Sequence, residues 1–487
     1  MKKRLLKSGL TLLGGQAADQ IAAFARNLIL ARVLTKADFG LAATFSMVAI
    51  FLETLSNFAA DKVVVQAKDG QKEEFQATAQ LLRVLRGLFA GTILFFLAGP
   101  LARQFNVPEA TWAFRCLALL PIMAGLFHLD IERLQRDMKF GIFSWVYGGS
   151  NVITALMAYP FAHWFPDWRA MLFLLLLREF LLSLGTHILA ERPYRFHWDG
   201  KVAKQIYRFG TPLVLNSLLM ALFLQGDRFL IGSAEKNFPQ SGLSLQDLGV
   251  YFATLSLIMA PGRIFASLAS TFILPLLSQA QDEEGKFRYR YHLCILPPAL
   301  LGAIVAFGFG AVGKDLIGLV YGEKYAAGGL YAGWLALAMA VRILRVVPTV
   351  AVMAKAHTSD LVRGNLIRVL ALPAAAVALF FGYGLHSIIL FAILGELGAF
   401  SFLVSRLSHY SGIRWKEQLL PLGLISMGAL AGFLARAFLH YGSLVNIGLA
   451  CLLGFCLLGF SYISLADLRK AVGFFLPNKL GPKEAQP

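Results

Sequence analysis

The feature that most limits this chain is a succession of apolar stretches, each about as long as a helix must be to cross the ~30 Å hydrocarbon core of a bilayer. In the first half they fall near 10–32, 40–60, 81–102, 111–127, 142–162 and 170–190. The second half adds 209–232, 248–274, 293–313, 330–354, 365–382, 386–404, 419–437 and 444–465, and the fourth and eleventh stretches are the shortest. Lipid offers a backbone N–H or C=O no partner, so each stretch has to satisfy its own hydrogen bonds as a helix. No alternating ten-residue pattern marks a membrane barrel. The expected fold is an all-α polytopic membrane protein with 14 transmembrane helices.

Composition closes the other routes. Of 487 residues, 57% are apolar before the 45 glycines are added, and 15% are charged, against about 25% in ordinary soluble domains. So few charges cannot cover the surface of a soluble protein this size. That argues against a soluble enzyme, a disordered scaffold or a secreted disulfide-rich module. Cys116, Cys294, Cys451 and Cys456 lie in or beside apolar runs without CxxC pairing, and read as buried, unligated thiols. The basic start Met1–Arg4 resembles a signal peptide, but Gln16, Asp19 and Gln20 interrupt the run while the helical pattern continues to Leu30. It reads as a retained first membrane helix.

The net charge of +17 is unevenly distributed. Thirty Lys and Arg lie in or beside the two termini and the loops joining even to odd stretches; ten lie on the opposite side, and five lie within stretches. The bias places both termini in the cytoplasm and suits contact with anionic membrane lipids. No RNP-like, zinc-finger or helix-turn-helix pattern supports nucleic acid as a partner. The segment 191–208 holds Arg192, Arg195, Lys201, Lys204 and Arg208 around Trp198 and Tyr207. It reads as a positively charged cytoplasmic linker with interfacial aromatics. The opposite loop 233–247 is rich in turn residues.

Two distant segments resemble each other. ARNLILARVLTKADFGLAATFSMV near the start aligns with GDRFLIGSA, an insertion, then LQDLGVYFATLSLI. Arg26 corresponds to Arg228, and Gly40 to Gly249. Both copies are odd-to-even helix pairs pointing the same way, which makes the repeat parallel. Transporters use such repeats to build two lobes about a central path. The expected organisation is an N-terminal lobe over 1–205, a C-terminal lobe over 206–404 and an added helix pair with a tail over 405–487.

Ionisable residues inside the stretches are costly in lipid, so protein or water must receive them. The substrate or cavity candidates are Asp19, Arg26, Glu53, Asp227, Arg228, Arg263, Arg342 and Arg345. Arg178, Glu179 and Glu396 are also intramembrane. Arginine presents a rigid fork of donors suited to phosphate oxygens. Asp19 and Arg263 lie deepest. Arg178 and Glu179 can pair with each other, and Arg342 and Arg345 share a face from which they can snorkel to an interface. Pro261-Gly262 before Arg263 is a candidate bend. No GxxxxGK[ST], HExxH or GxSxG pattern appears, so neither ATP chemistry nor enzymatic catalysis is expected. The group Tyr321–Tyr325 reads as a turn.

With these features in place, the chain resembles the polysaccharide-transporter branch of the multidrug/oligosaccharidyl-lipid/polysaccharide exporter superfamily. SGLTLLGG, ARNLILARVLTKADFGLAA and ETLSNFAADKVVVQAKD carry the likeness in the first half. IYRFGTPLVLNSLL, DRFLIGS, LGVYFATLSLIMAPGRI, FILPLLSQAQDEEGKF and LIGLVYGEKY follow in order, so that residues 5–360 are covered. The resemblance implies 14 helices in two V-arranged lobes. It also implies a flippase for undecaprenyl-pyrophosphate-linked oligosaccharide units destined for exopolysaccharide, capsule or O-antigen, with a glycan polymerase or export machinery as a further partner. The family often carries an aromatic–basic pair in its eighth helix, where this chain reads Leu255-Ser256-Leu257 and has its basic residue later, at Arg263. No bound cofactor or metal is expected, and coupling to an Na+ or H+ gradient stays open. The competing readings are a peptidoglycan-lipid flippase, an ion-coupled small-molecule exporter and a non-transporting scaffold of a glycan-synthesis complex.

Overall fold

The computed structural model describes residues 2–56, 64, 69–136, 140–439 and 442–464. The first helices in chain order are α1 (Lys2–Val33), α2 (Lys36–Ser56), α3 (Glu73–Gln104), α4 (Thr111–Cys116), α5 (Leu119–Gly125), α6 (Asp130–Arg136), α7 (Phe140–Trp164), α8 (Arg169–Ile188) and α9 (Gly200–Gly232). They are followed by α10 (Ala234–Asn237), α11 (Leu245–Leu268), α12 (Leu274–Ser278), α13 (Glu284–Tyr321), α14 (Gly329–Ala354) and α15 (Thr358–Val369). The last four are α16 (Ala371–Phe380), α17 (Leu385–Ser411), α18 (Lys416–Arg436) and α19 (Ser443–Ser464). Among the described residues, eight helical segments are long and apolar enough to cross a membrane.

The two shortest apolar stretches are broken helices, and proline explains both. A proline cannot donate to the carbonyl four residues back, and its ring crowds that carbonyl. For Pro121 that residue is Leu117, at the join between α4 and α5; for Pro373 it is Val369, at the join between α15 and α16. Pro261 behaves differently. Helix α11 runs on through it and gives way to a π turn at Ala269–Ile273. The 38-residue α13 bends at Val312, whose φ of −130° and ψ of 25° are not helical.

Packing divides the chain into two compact units. The first comprises residues 1–253 with 376–385, the second residues 254–375 with 386–487. In the first, α1 lies along α7, α7 along α8, α3 along α5, and α9 along α2. In the second, α13 is the centre, with α14, α18 and α19 packed around it. Its core includes Tyr291, Cys294, Ala299, Ala340, Leu344 and Phe400, all at most 1% exposed. Between helices in lipid there is no hydrophobic driving force, so close packing has to supply the association. Small residues allow it: Gly428 and Gly432 sit against the backbones of Ala303 and Phe307. Side chains such as Phe96 and Trp145, 74% and 77% exposed, are apolar surface suited to lipid contact.

The sequence repeat reappears as a structural one. Helix α2 opens with Thr35 and Asp38: the Asp38 N–H donates to Thr35 Oγ1 at 3.1 Å, and the Thr35 hydroxyl donates to Asp38 Oδ2 at 2.5 Å. Helix α11 opens with Ser244 and Asp247, where the Ser244 N–H and hydroxyl donate to Asp247 Oδ2 at 2.9 and 2.8 Å. Both are side-chain caps at helix starts, which otherwise leave N–H groups unmatched. The two starts also meet each other. Gly40 faces the Leu245 carbonyl, Gly249 faces the Lys36 carbonyl, and an ideal Cβ on either glycine would lie 3.1 Å from the other's nitrogen. These pairs are related by the same sequence offset as the caps.

Candidate functional site

Polar side chains set in the apolar helices form three clusters. The first joins α1, α7 and α8. Asn151 donates through Nδ2 to Asp19 and accepts from Arg178 Nε at 3.3 Å. Arg178 Nη1 reaches Glu179 Oε2 at 3.2 Å. Arg26 lies seven residues beyond Asp19 on α1, near the same face two turns along. It is only 8% exposed, and its Nε and Nη1 are buried without a hydrogen-bond partner among the described residues. A charged donor left unmatched costs at least about 1–3 kcal/mol. The cluster thus contains a cation with two buried nitrogens that the other described residues leave open.

The second cluster is at the repeat-related position. Arg228, 4% exposed, donates through Nη1 to Gln225 Oε1 at 2.8 Å. Its guanidinium lies 4.8 Å from the centroid of the Phe252 ring, a favourable cation–π placement. Asp227 accepts from the Tyr251 hydroxyl and from the Arg228 N–H. Arg26 and Arg228 are equivalent in sequence but not in surroundings.

The third cluster belongs to the second unit. Glu396 on α17 is fully buried and receives three arginines. Arg342 Nε donates to its Oε1 at 2.7 Å, Arg345 Nε to its Oε2 at 2.7 Å, and Arg368 Nη2 to its Oε1 at 3.0 Å. Arg345 also reaches Thr349 at 3.1 Å and Arg368 reaches Asn365 at 3.0 Å. Arg342 and Arg345 therefore do not snorkel; their charge is met inside the helix bundle. Sequence reasoning missed Arg368, at the start of the eleventh stretch, and left Glu396 without partners. The available signal was an arginine within a weak apolar stretch.

The remaining candidates are separate from these clusters. Arg263 is exposed on α11, with Nη2 4.0 Å from Met259 Sδ. Glu53 lies on α2, and its side chain is outside the described residues. Among the described residues, no group of three or more His, Cys, Asp or Glu is placed to hold a metal ion.

Two further features lie outside the clusters. A largely apolar cavity of about 270 Å³ lies between α13, α18 and α19, lined by Leu300, Phe307, Leu424, Met427 and Ala450 among others. The basic segment after α8 is docked at its start. The N–H groups of Glu191 and Arg192 donate to Asp130 Oδ2 at 2.8 and 3.1 Å, and Arg192 Nη1 donates to the Gln71 carbonyl at 2.8 Å. Burial alone would raise the Asp130 carboxyl, but Arg133 and these two N–H groups hold it below the ordinary carboxylate range. Burial pushes the neighbouring His128 imidazole down, against the pull of Asp130. Arg195, Lys201, Lys204 and Arg208 are exposed beyond this anchor.

Comparison with known proteins places these observations. A family model described as polysaccharide biosynthesis protein matches residues 29–328. An uncharacterized membrane protein in the cps region of Klebsiella pneumoniae is 19% identical over 353 residues, covering 72% of this chain and 71% of that one. The succinoglycan biosynthesis transport protein ExoT of Rhizobium meliloti (strain 1021) is 22% identical over 64% of this chain and 62% of its own. The lipopolysaccharide biosynthesis protein WzxC of Escherichia coli (strain K12) is 20% identical over 61% and 59%. The chain thus spans about three fifths of the last two. Among solved structures, the lipid II flippase MurJ in an inward closed conformation superposes with a TM-score of 0.73 at 12% identity, covering 93% of this chain and 99% of that one. An inward-facing multidrug resistance MATE family transporter of the MOP superfamily gives 0.64 at 13% identity, covering 81% and 96%.

Proposed function

Because the chain belongs to the polysaccharide biosynthesis protein family, within the superfamily that also holds MurJ and the MATE transporters, we propose that it flips undecaprenyl-pyrophosphate-linked oligosaccharide repeat units across the bacterial inner membrane. It is a multi-pass membrane transporter and not an enzyme. The observation that carries the reading of the cargo is Arg26. Moving a pyrophosphate through low dielectric is prohibitive unless its charge is matched. A buried guanidinium with two unmatched donors is a partner already desolvated for it.

In this reading the 14 helices form lobes over 1–205 and 206–404, with 405–487 as an added pair and tail, and both termini are cytoplasmic. The lobes open alternately to each side, with no bond made or broken. Arg26 meets the headgroup oxygens, while Asp19, Asn151 and Arg178 hold the surrounding charge. The apolar cavity between α13, α18 and α19 takes hydrocarbon of the lipid tail. Coupling to Na+ or H+ draws on the membrane carboxylates still free to change partners, of which Asp19 is one; Glu396, tied to three arginines, is not. A glycan polymerase takes the product away. The curated relatives are described by different polymers, succinoglycan and lipopolysaccharide, so the shared cargo feature is the lipid carrier rather than one sugar.

The test is reconstitution in vesicles with lipid-linked oligosaccharides of differing sugars, following their arrival on the opposite leaflet. The reading expects protein-dependent translocation of the pyrophosphate-linked lipid. Transport of a cationic dye with no movement of any lipid-linked sugar would overturn it.

A further inference from the structure

The basic linker after α8 is fastened at a corner of the first unit where one of the acceptors is an imidazole ring. The Asp130 N–H donates to His128 Nδ1 at 3.1 Å. An N–H can only donate, so Nδ1 holds a lone pair and the neutral ring carries its proton on Nε2. That Nε2 is buried without a hydrogen-bond partner among the described residues, and His128 is 5% exposed. The chain around it is tied together. Gln80 on α3 donates to the Phe127 carbonyl and the Tyr194 hydroxyl, both at 2.9 Å, and accepts from the Leu129 N–H at 3.0 Å. The His128 N–H donates to Thr186 Oγ1 at 3.1 Å. Leu129 packs with Phe75, Ala79 and Leu82 of α3 against Ala203 and Ile206, which seat the start of α9.

The groups that face His128 are Glu73 from α3, Asp130 from α6, His187 from α8, and Arg192, Tyr194 and Arg195 from the linker. Most are already engaged. Asp130 accepts from Arg133 and from the Glu191 and Arg192 N–H groups, and Arg192 donates to the Gln71 carbonyl and Gln76. Glu73 pairs with Arg195 at 3.6 Å, and Arg83 of α3 donates to the Ala124 carbonyl at 3.0 Å. His187 Nε2 meets the Leu126 carbonyl at 2.9 Å, so His187 can gain a proton on Nδ1 and keep that bond. His128 cannot do the same. Its incoming proton has to sit on Nδ1, where it meets the Asp130 N–H donor to donor. The second unit has a corner of similar parts built without this bond. There Asp360 accepts from Arg363 and Arg406, and His357 stacks on Tyr410 at 4.2 Å, but the Asp360 N–H donates to the His357 carbonyl.

We infer that His128 is a proton-operated latch: its neutral ring holds the linker and the start of α9 in place, and acid on that side releases them and slows transport. Attachment is complete above the ordinary imidazole value of about 6.5 and weakens as pH falls below it. Release frees Leu129, and with it the seat of α9. The latch is separate from coupling to an ion gradient, because His128 lies outside the apolar stretches. Its effect on transport rests on the flippase reading above, in which this end faces the cytoplasm; the release itself does not.

The test follows two exchange reactions in full-length protein from about pH 8 to about pH 5, by peptide-resolved mass spectrometry. Exchange of the imidazole C2 hydrogen reports the titration of each histidine, and amide exchange at 191–194, corrected for its intrinsic pH dependence, reports release. In the parent, His128 should titrate below about 6.5, and amide exchange should rise about fivefold over the same range. His128→Gln keeps an acceptor oxygen and has no proton to gain, so its amide exchange should stay within about twofold. His357→Gln should leave the parent's rise unchanged. Transport of lipid-linked oligosaccharide in vesicles should fall about threefold on acidifying the cytoplasmic side in the parent, and stay level in His128→Gln. An ordinary or raised His128 titration, or linker exchange that ignores it, would overturn the latch, and the parent alone decides this if a variant fails to accumulate. Release without any change in transport would overturn the control of transport. Release in protein that moves no lipid-linked glycan at any pH would count against the cargo reading alone.

Discussion

Arg26 and Arg368 are both arginines set in apolar helices, 8% and 1% exposed, and their surroundings are opposite. Arg368 shares Glu396 with Arg342 and Arg345, and a second nitrogen of it reaches Asn365. Arg26 sits on the same helix as Asp19, whose carboxylate is engaged by Asn151, and two of its own nitrogens are buried and unmatched. The first arrangement is a knot: every charge is answered, and moving one member strands the others. The second has one hand open. Intramembrane charge is therefore not one signal. Where carboxylate and guanidinium are tied together the cluster fixes helices, even though Arg368 keeps one buried Nε unmatched; where two nitrogens of one guanidinium are buried without a partner among the described residues, as in Arg26, they can receive something from outside the chain.

The largest effect should come from untying the knot. Glu396→Gln leaves three arginines facing one another without a counter-charge, and breaking a buried pair in this way costs about 3–5 kcal/mol. Thermal unfolding in detergent should show a markedly lower Tm and reduced accumulation in membranes. A near-normal Tm would mean that the third cluster is hydrated rather than sealed.

The next effect separates the two arginines. Replacing Arg26 by Met removes an uncompensated buried cation, so stability should stay within about 1 kcal/mol of the parent or rise, while lipid-linked oligosaccharide transport falls by at least about tenfold. Arg368→Met should behave in reverse, lowering Tm first and transport only in proportion to folded protein. Matching stability losses at both positions would erase the distinction.

The contrast was partly legible in the sequence. Stretch length and hydropathy located the helices because lipid makes backbone satisfaction a local requirement. The repeat was legible because glycine-dependent seating and a Thr/Ser–Asp cap demand particular residues at fixed spacing: the Asp-Phe-Gly of one copy and the Asp-Leu-Gly of the other are the places where the chain crosses itself. The breaks at Leu117 and Leu370 could have been read from Pro121 and Pro373. Partnering could not. Arg345 and Glu396 are 51 positions apart, and nothing local says that α14 and α17 bring them together. Arg26 and Arg228 hold equivalent positions, yet only Arg228 has Gln225 and an aromatic ring beside it. Arg228 keeps its buried Nε unmatched as well, so the two copies differ in degree, and that difference comes from packing.

The smallest effect concerns the docked start of the basic linker, outside both clusters. His128 is held below its ordinary value, so the folded state resists protonation, and this contribution is lost as pH falls below the usual imidazole value of about 6.5. The depressed Asp130 carboxyl contributes while ionised, and its share is lost at lower pH still, as pH falls through its folded value. Both signs point the same way. Hydrogen exchange at residues 191–194 should rise on acidification, and His128→Gln should flatten the first part of that rise. Neither change should alter the Tm difference produced by Glu396→Gln, which belongs to the other unit.

The central claim is that the open donors of Arg26 receive phosphate oxygens. The most direct measurement compares binding of a short-chain prenyl pyrophosphate with that of the matching prenyl alcohol to purified protein and to its Arg26→Ala variant. The account predicts a clear preference for the pyrophosphate in the parent, reduced by about tenfold or more in the variant, as expected when charge-assisted hydrogen bonds are lost. An undiminished preference in folded Arg26→Ala protein would contradict it.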